Sequence, residues 1–146
     1  MLRTPILHPD LLAGLARCGH GSQVLIADAL FPHATGADPA VPRVHLNLTP
    51  GTVPAAQIVA LVAEACFIEA AAFMADPEAP GGESPAVGDY RGLLADHRHW
   101  GGREVTWEGV ERMAFYEACW QRDVALVIAT GEVRPYANLL LTLGVP

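Results

Sequence analysis

The sequence has few charged residues and no cluster of positive ones. Charged side chains make up 17% of its 146 residues, and the formal net charge is -7 at pH 7. Binding to a nucleic-acid backbone requires clustered cations that displace counterions from the phosphates. Because the chain has no Lys/Arg block, we expect no nucleic-acid partner.

Long apolar runs and a targeting segment are also missing. Residues 1–10 contain one arginine but no apolar stretch of the type found in signal peptides. No segment approaches the roughly 18 uninterrupted apolar residues that a membrane-spanning helix needs. We therefore expect a cytoplasmic protein with no membrane partner.

Cysteine is scarce and its spacing is uninformative. Cys18, Cys66 and Cys119 form an odd set without a CxxC pair, which predicts neither a disulfide framework nor a zinc site. Buried free thiols are the expected state. His97 and His99 would point to different faces of a predicted helix, so no metal site is expected there either.

Apolar residues, in contrast, are abundant. Hydrophobic side chains account for 51% of the chain, which is enough for the core of one compact domain spanning residues 1–146. The apolar pattern predicts helices at 9–18, 54–66, 86–98 and 108–122, and strands at 23–27, 44–48, 67–74, 104–107, 124–129 and 139–143.

The alternation of apolar strands with helices predicts an α/β fold. Helices should cover both faces of a central, mostly parallel sheet, giving three α/β/α layers. The pattern does not decide whether one strand of the sheet is antiparallel. In the helix predicted at 108–122, Val110, Met113, Ala114 and either Tyr116 or Trp120 should face inward. Ligands of such sheets gather beyond the carboxyl ends of strands, which is where Asp28 is expected.

Four short motifs carry a resemblance to a known family. They are Gly19-His20-Gly21, Asp28-Ala-Leu-Phe-Pro32, Arg112-Met-Ala-Phe-Tyr-Glu117 and Thr130-Gly-Glu-Val-Arg-Pro-Tyr-Ala-Asn138. No single motif is specific, but their order and spacing resemble the D-ribose pyranase / L-fucose mutarotase family nearly end to end. This resemblance implies a cofactor-free isomerase that interconverts the ring forms or anomers of a free monosaccharide.

The resemblance also implies roles for individual residues. The family's proton donor corresponds to His20, and its sugar ligands correspond to Asp28, Tyr136 and Asn138. Arg112 aligns with a further sugar contact. No cofactor or metal is implied. Family members assemble into homo-oligomeric rings, commonly decamers, with sites at subunit interfaces.

These residue types suit the chemistry by themselves. Ring opening of an aldose removes a proton from the anomeric hydroxyl and delivers one to the ring oxygen, and an imidazole with an ordinary pKa near 6.5 can do both. The carboxylate of Asp28 and the amide of Asn138 can match sugar hydroxyls. Tyr136, with a normal pKa of about 10, is expected to bind rather than to transfer protons.

Several alternatives stay open. The same pocket could belong to a non-catalytic monosaccharide-binding protein associated with sugar transport, or to a structural ring component. Asp28 could be only a turn-former, and the roles of His45 and Glu132 are undecided. Some segments favour the fucose branch of the family, whereas residues 43–51 favour the ribose branch, so the sugar is not predicted.

Overall fold

The computed structural model of the protein describes residues 1–146 and contains four α-helices and eight strands. The helices are α1 (Pro9–Arg17), α2 (Ala55–Ala65), α3 (Pro85–Leu94) and α4 (Arg112–Cys119). The strands are β1 (Gln23–Ala27), β2 (Arg43–His45), β3 (Ile68–Met74), β4 (Arg98–His99), β5 (Arg103–Glu104), β6 (Thr106–Val110), β7 (Val124–Ala129) and β8 (Leu139–Leu143).

Six of the strands form one mixed sheet in the order β2-β7-β1-β8-β3-β6, and β4 and β5 pair separately. All neighbours in the large sheet are parallel except where β8 lies antiparallel between β1 and β3. The predicted α/β fold with a mostly parallel sheet is confirmed. The segment 130–138 has no helix, so it returns the chain antiparallel rather than through a parallel crossover.

The sheet is covered on both faces. Along β1, Val24 and Ile26 belong to the larger core cluster, which contains the inward residues of α1, α2 and α3. Leu25 and Ala27 belong to a second cluster with α4 and the segment that follows β1. This alternation is the period-2 pattern of a strand buried on both sides.

The longest predicted helix was wrong in its start, in its end, which is Cys119, and in part of its inward face. Glu108 and its neighbours up to Val110 extend strand β6, which pairs with the end of β3. Helix α4 begins only after Glu111, whose carboxylate accepts hydrogen bonds from two amides of the first turn. Met113 is 60% exposed, and Phe115, which is fully buried, faces the core instead. Val110 and Tyr116 pack against the core as predicted, whereas Ala114 is exposed.

Three further elements differ from the prediction by more than one residue at an end. The strand expected at 44–48 ends at His45, the strand expected at 104–107 lies at Thr106–Val110, and the third helix ends at Leu94 instead of reaching 98. His97 therefore lies outside a helix, where its Nε2 accepts a hydrogen bond from the Ile68 amide at 2.8 Å.

No helix combines the length and the apolar character needed to cross a membrane.

Candidate functional site

Asp28 directly follows the last residue of β1 and is 1% exposed. One carboxylate oxygen, Oδ1, accepts hydrogen bonds from the amides of Leu30 at 3.0 Å and Phe31 at 2.9 Å, which closes the turn after the strand. Burial raises the pKa of the Asp28 carboxyl, and these backbone amides oppose that shift. The turn-forming role expected of an aspartate is therefore present, but it uses only Oδ1.

The second carboxylate oxygen of Asp28, Oδ2, and the Asp28 backbone amide are both hydrogen-bonded to Asn138. The Asn138 amide nitrogen donates to Asp28 Oδ2 at 2.9 Å, and Asn138 Oδ1 accepts from the Asp28 backbone amide at 2.9 Å. The Ala137 amide also donates to Oδ2, at 3.2 Å. This contact arises because residues 130–138 connect β7 to β8, two strands that flank β1, and so cross over its carboxyl end.

A cleft of about 260 Å³ opens beside this pair. Four of the predicted site residues line it: Asp28, Arg112, Tyr136 and Asn138. Arg112 is the first residue of α4, and Tyr136 belongs to the segment that crosses β1. The fold thus brings the predicted sugar ligands around one concave site.

His20 lies elsewhere in the chain. It precedes β1, whereas Asp28 follows it, so about 16 Å of strand separates the two residues. The imidazole is 60% exposed, and its Nε2 lies 3.0 Å from Glu69 Oε2. Within one copy of the chain, the predicted proton donor is therefore at the opposite edge of the sheet from the cleft.

The remaining walls of the cleft were not predicted as site residues. They are Leu30, Phe31, Met74, Tyr116 and Pro135. The Phe31 and Tyr116 rings lie 5.7 Å apart at an interplanar angle of 40°. All except Met74 belong to the four motifs, so the motifs themselves were the signal that could have found them. Met74 ends a buried strand and carries no such signal.

A second cavity, of about 540 Å³, adjoins the cleft. The two share Arg112 and Tyr136 as lining residues, and Asp76 and Glu111 add carboxylates to the larger space. The cleft therefore borders this larger space on the side of the α4 N-terminus.

The segment after Asp28 is held over the sheet by Arg43. Its guanidinium donates to no carboxylate. It donates instead to four backbone carbonyls, those of His33, Ala37, Asp38 and Val41. His33 in turn contacts the site, because its Nε2 is 2.7 Å from the Asp28 carbonyl oxygen, to which it donates. Arg43 therefore organises the loop that contributes Phe31 to the cleft.

Glu132 and His45 do not line the cleft. Glu132 is 5% exposed and forms a paired contact with Arg134, whose side chain lowers the pKa of the Glu132 carboxyl. The Arg134 guanidinium also donates a hydrogen bond to the Asp89 carboxylate on α3 at 2.7 Å. Glu132 thus stabilises the 130–138 segment. No group of three or more His, Cys, Asp or Glu side chains converges in a way that could hold a metal ion.

A model of the RbsD / FucU transport protein family matches residues 1–146. The chain belongs to this family. The resemblance predicted from the four motifs is therefore confirmed.

RbsD / FucU relatives match over nearly their whole length. D-ribose pyranase from Paracidovorax citrulli is 32% identical, covering 99% of this chain and 98% of the relative. Fucose mutarotase from Mus musculus is 30% identical, covering 95% and 90%. These names describe isomerases that interconvert sugar forms, which is the enzyme class expected from the resemblance.

Solved RbsD / FucU structures share the fold. Bacillus subtilis RbsD complexed with D-ribose is 28% identical with a TM-score of 0.78, covering 100% of this chain and 99% of that one. Fucose mutarotase from Streptococcus pneumoniae in complex with L-fucose is 26% identical with a TM-score of 0.77, at the same coverage of both chains.

Proposed function

We propose that the protein is a cofactor-independent mutarotase or pyranase that opens and recloses the ring of a free monosaccharide by acid–base catalysis. The observation that carries this proposal is the interlocked Asp28–Asn138 pair, buried at the floor of a cleft whose rim holds Arg112 and Tyr136. Such a cleft offers both hydrogen-bond acceptors and donors to neighbouring hydroxyls. Relatives bear the names of both activities.

Asn138, Arg112 and Tyr136 each keep a group that is available to the sugar, whereas both Asp28 carboxylate oxygens already accept two N–H groups. One hydrogen of the Asn138 side-chain amide is donated to Asp28. The second amide hydrogen has only the Met74 sulfur as a partner, and that sulfur lies 4.0 Å from the nitrogen. That second hydrogen is available to a sugar oxygen. Arg112 has several donors, and the Tyr136 ring can pack against a C–H face of the sugar.

The acid–base group in this proposal is His20 of a neighbouring copy, since His20 cannot reach the cleft of its own chain. Glu69 holds Nε2, which leaves Nδ1 free to exchange protons with a sugar. Near His20 the sheet face is open: Gln23, Thr106 and Thr142 line a groove there. A ring-shaped homo-oligomer, as expected from the family, would bring this edge of one copy to the cleft of the next.

A Schiff base is not part of this mechanism. Lysine, the usual side-chain nucleophile for such a step, is absent from the sequence. Proton transfer to and from the sugar oxygens is then sufficient for ring opening and closure, and the reaction needs no redox step.

Saturation-transfer NMR on a panel of free aldoses tests the activity. The wild-type protein should accelerate exchange between the anomers or ring forms of at least one sugar, with D-ribose and L-fucose as the first two probes. His20→Ala should remove this acceleration while leaving the unfolding transition unchanged. An unaltered exchange rate in His20→Ala would refute the acid–base role.

A mixing experiment tests the shared site. The Arg112→Ala/Tyr136→Ala variant lacks two cleft ligands but keeps His20, whereas His20→Ala keeps the cleft. Oligomers formed from equal amounts of the two should regain about a quarter of the wild-type rate, because each site draws its two halves independently. No recovery in oligomers shown by native mass spectrometry to be mixed would overturn the shared site.

A non-catalytic sugar-binding protein of a transport system is the second candidate, favoured by the family's description as transport proteins. Such a protein would broaden the sugar resonances without transferring saturation between forms. We further propose that residues 1–146 act as one domain and that the protein works in the cytoplasm on unmodified sugars.

A further inference from the structure

Helix α3 holds the segment 130–138 through two hydroxyl groups. The Ser84 hydroxyl, at the start of the helix, donates to the carbonyl of Tyr136 at 2.9 Å. Six residues later along the helix, the Tyr90 hydroxyl donates to the carbonyl of Ala137, also at 2.9 Å. Two consecutive carbonyls beside the cleft are thus fixed from the same helix.

Both hydroxyls are committed to this contact. Ser84 is 2% exposed and occupies the N-cap position of α3, where a serine ordinarily bonds an amide of its own helix. Here its side chain makes no such cap bond. Tyr90 is fully buried, and burial raises the pKa of its phenol, so the hydroxyl remains a donor throughout the physiological pH range.

The residue next to these contacts is held in an unfavourable backbone conformation. Tyr136 has a φ of 54°, and it is the one residue other than glycine with a positive φ. A side-chain-bearing residue keeps such a conformation only when its surroundings fix it. The Tyr136 carbonyl accepts from Ser84, and Ala137 is held at both of its backbone groups: its amide donates to Asp28 and its carbonyl accepts from Tyr90.

We propose that Ser84 and Tyr90 are positioning residues that aim the Tyr136 ring into the cleft by holding the carbonyls of residues 136 and 137. They touch no lining surface of the cleft themselves. A third tie, from Arg134 to Asp89, joins the same segment to the same helix. This inference rests on the proposed function, in which Tyr136 binds the sugar.

Steady-state exchange kinetics of Tyr90→Phe and Ser84→Ala test the proposal. Each variant should raise KM for the best sugar about fivefold and leave kcat within about twofold, because a displaced binding group weakens ground state and transition state alike. A purely structural role would instead lower the active fraction, so the apparent kcat would fall at constant KM. That pattern would overturn the proposal. Val62→Ala, a core change in α2, is the matched destabilised control.

A double-mutant cycle makes the test specific to Tyr136. In a Tyr136→Ala background there is no ring left to aim, so adding Tyr90→Phe should not raise KM further. If Tyr90→Phe raises KM by the same factor with and without the Tyr136 side chain, the positioning role is wrong.

Amide hydrogen exchange separates this inference from the proposed function. If the wild-type protein accelerates no aldose, the proposed function fails, but the positioning can still be measured. Tyr90→Phe should speed exchange of the Ala137 amide at least about tenfold while the Ile26 amide in β1 keeps its protection. Unchanged protection at Ala137 would overturn the positioning role whatever the activity.

Discussion

At the scale of single residues, the candidate site is built on a reciprocal pair. Each Asp28 carboxylate oxygen accepts two N–H groups: those of Leu30 and Phe31 on Oδ1, and those of Ala137 and Asn138 on Oδ2. A carboxylate is the one side chain of this size that accepts on both oxygens. Asp28 is therefore required for the local structure of the proposed sugar site.

Replacing Asp28 by asparagine tests this arrangement. In either orientation the new NH₂ group faces two donors, so Asp28→Asn should lower the free energy of unfolding in urea by about 1–3 kcal/mol. Adding Asn138→Asp supplies an acceptor for that NH₂ group, and the double variant should recover part of the loss. A double variant as unstable as the sum of the two single changes would contradict the reciprocal pair.

At the scale of elements, aliphatic runs with clear turn residues were predictable and polar or mixed segments were not. Strands β1, β7 and β8 have the predicted bounds because aliphatic residues dominate each of them. Strand β6 was predicted to end too early, at Trp107, because Glu108 and Gly109 are polar or small and merge into the helical pattern that follows. Pairing with β3, which local sequence does not reveal, decides the conformation there.

The candidate site shows the same division. The motifs located Asp28, Tyr136 and Asn138, and the rule for strand ends placed Asp28 at a site edge. Their direct contact depends on β8 lying beside β1, which brings residues 130–138 across the strand end. The separation of His20 from Asp28 was visible from β1 alone, since the two residues flank one strand. Met74 required the tertiary structure.

One contact between elements predicts a strong substitution effect. The turn at 49–53 packs directly on Gly131, where an added Cβ would lie 2.1 Å from the Thr52 carbonyl oxygen. Gly131→Ala should therefore destabilise the protein by about 3 kcal/mol in urea unfolding. Gly88→Ala in α3, where nothing lies within 4 Å of the new Cβ, should instead stabilise it by about 0.5–1 kcal/mol. Equal effects at the two positions would contradict this assignment.

At the scale of the whole molecule, the two ends of strands β1 and β3 carry different functional groups. The carboxyl ends of β1 and β3 meet α4 and the 130–138 segment at the cleft, whereas the opposite edge presents His20 and Glu69. A single copy thus has the proposed sugar ligands and the proposed proton donor on opposite sides. If the function is as proposed, activity requires assembly, and the specific exchange rate should fall on dilution as oligomers dissociate.

The free energy of unfolding should depend on pH through His97, which is hydrogen-bonded to the first residue of β3. The neutral His97 ring accepts a hydrogen bond from the Ile68 amide. Burial, together with His99 and Arg98, lowers the pKa of His97. The unfolded chain then binds the proton at higher pH than the folded one, so the free energy of unfolding should fall as pH drops below about 6.5. In His97→Gln, an oxygen can accept the same amide without titrating, and this step should disappear from urea unfolding curves measured between about pH 5 and 8. The exposed His45, changed to glutamine as a control, should leave the step in place. A step that survives in His97→Gln would assign it to another group.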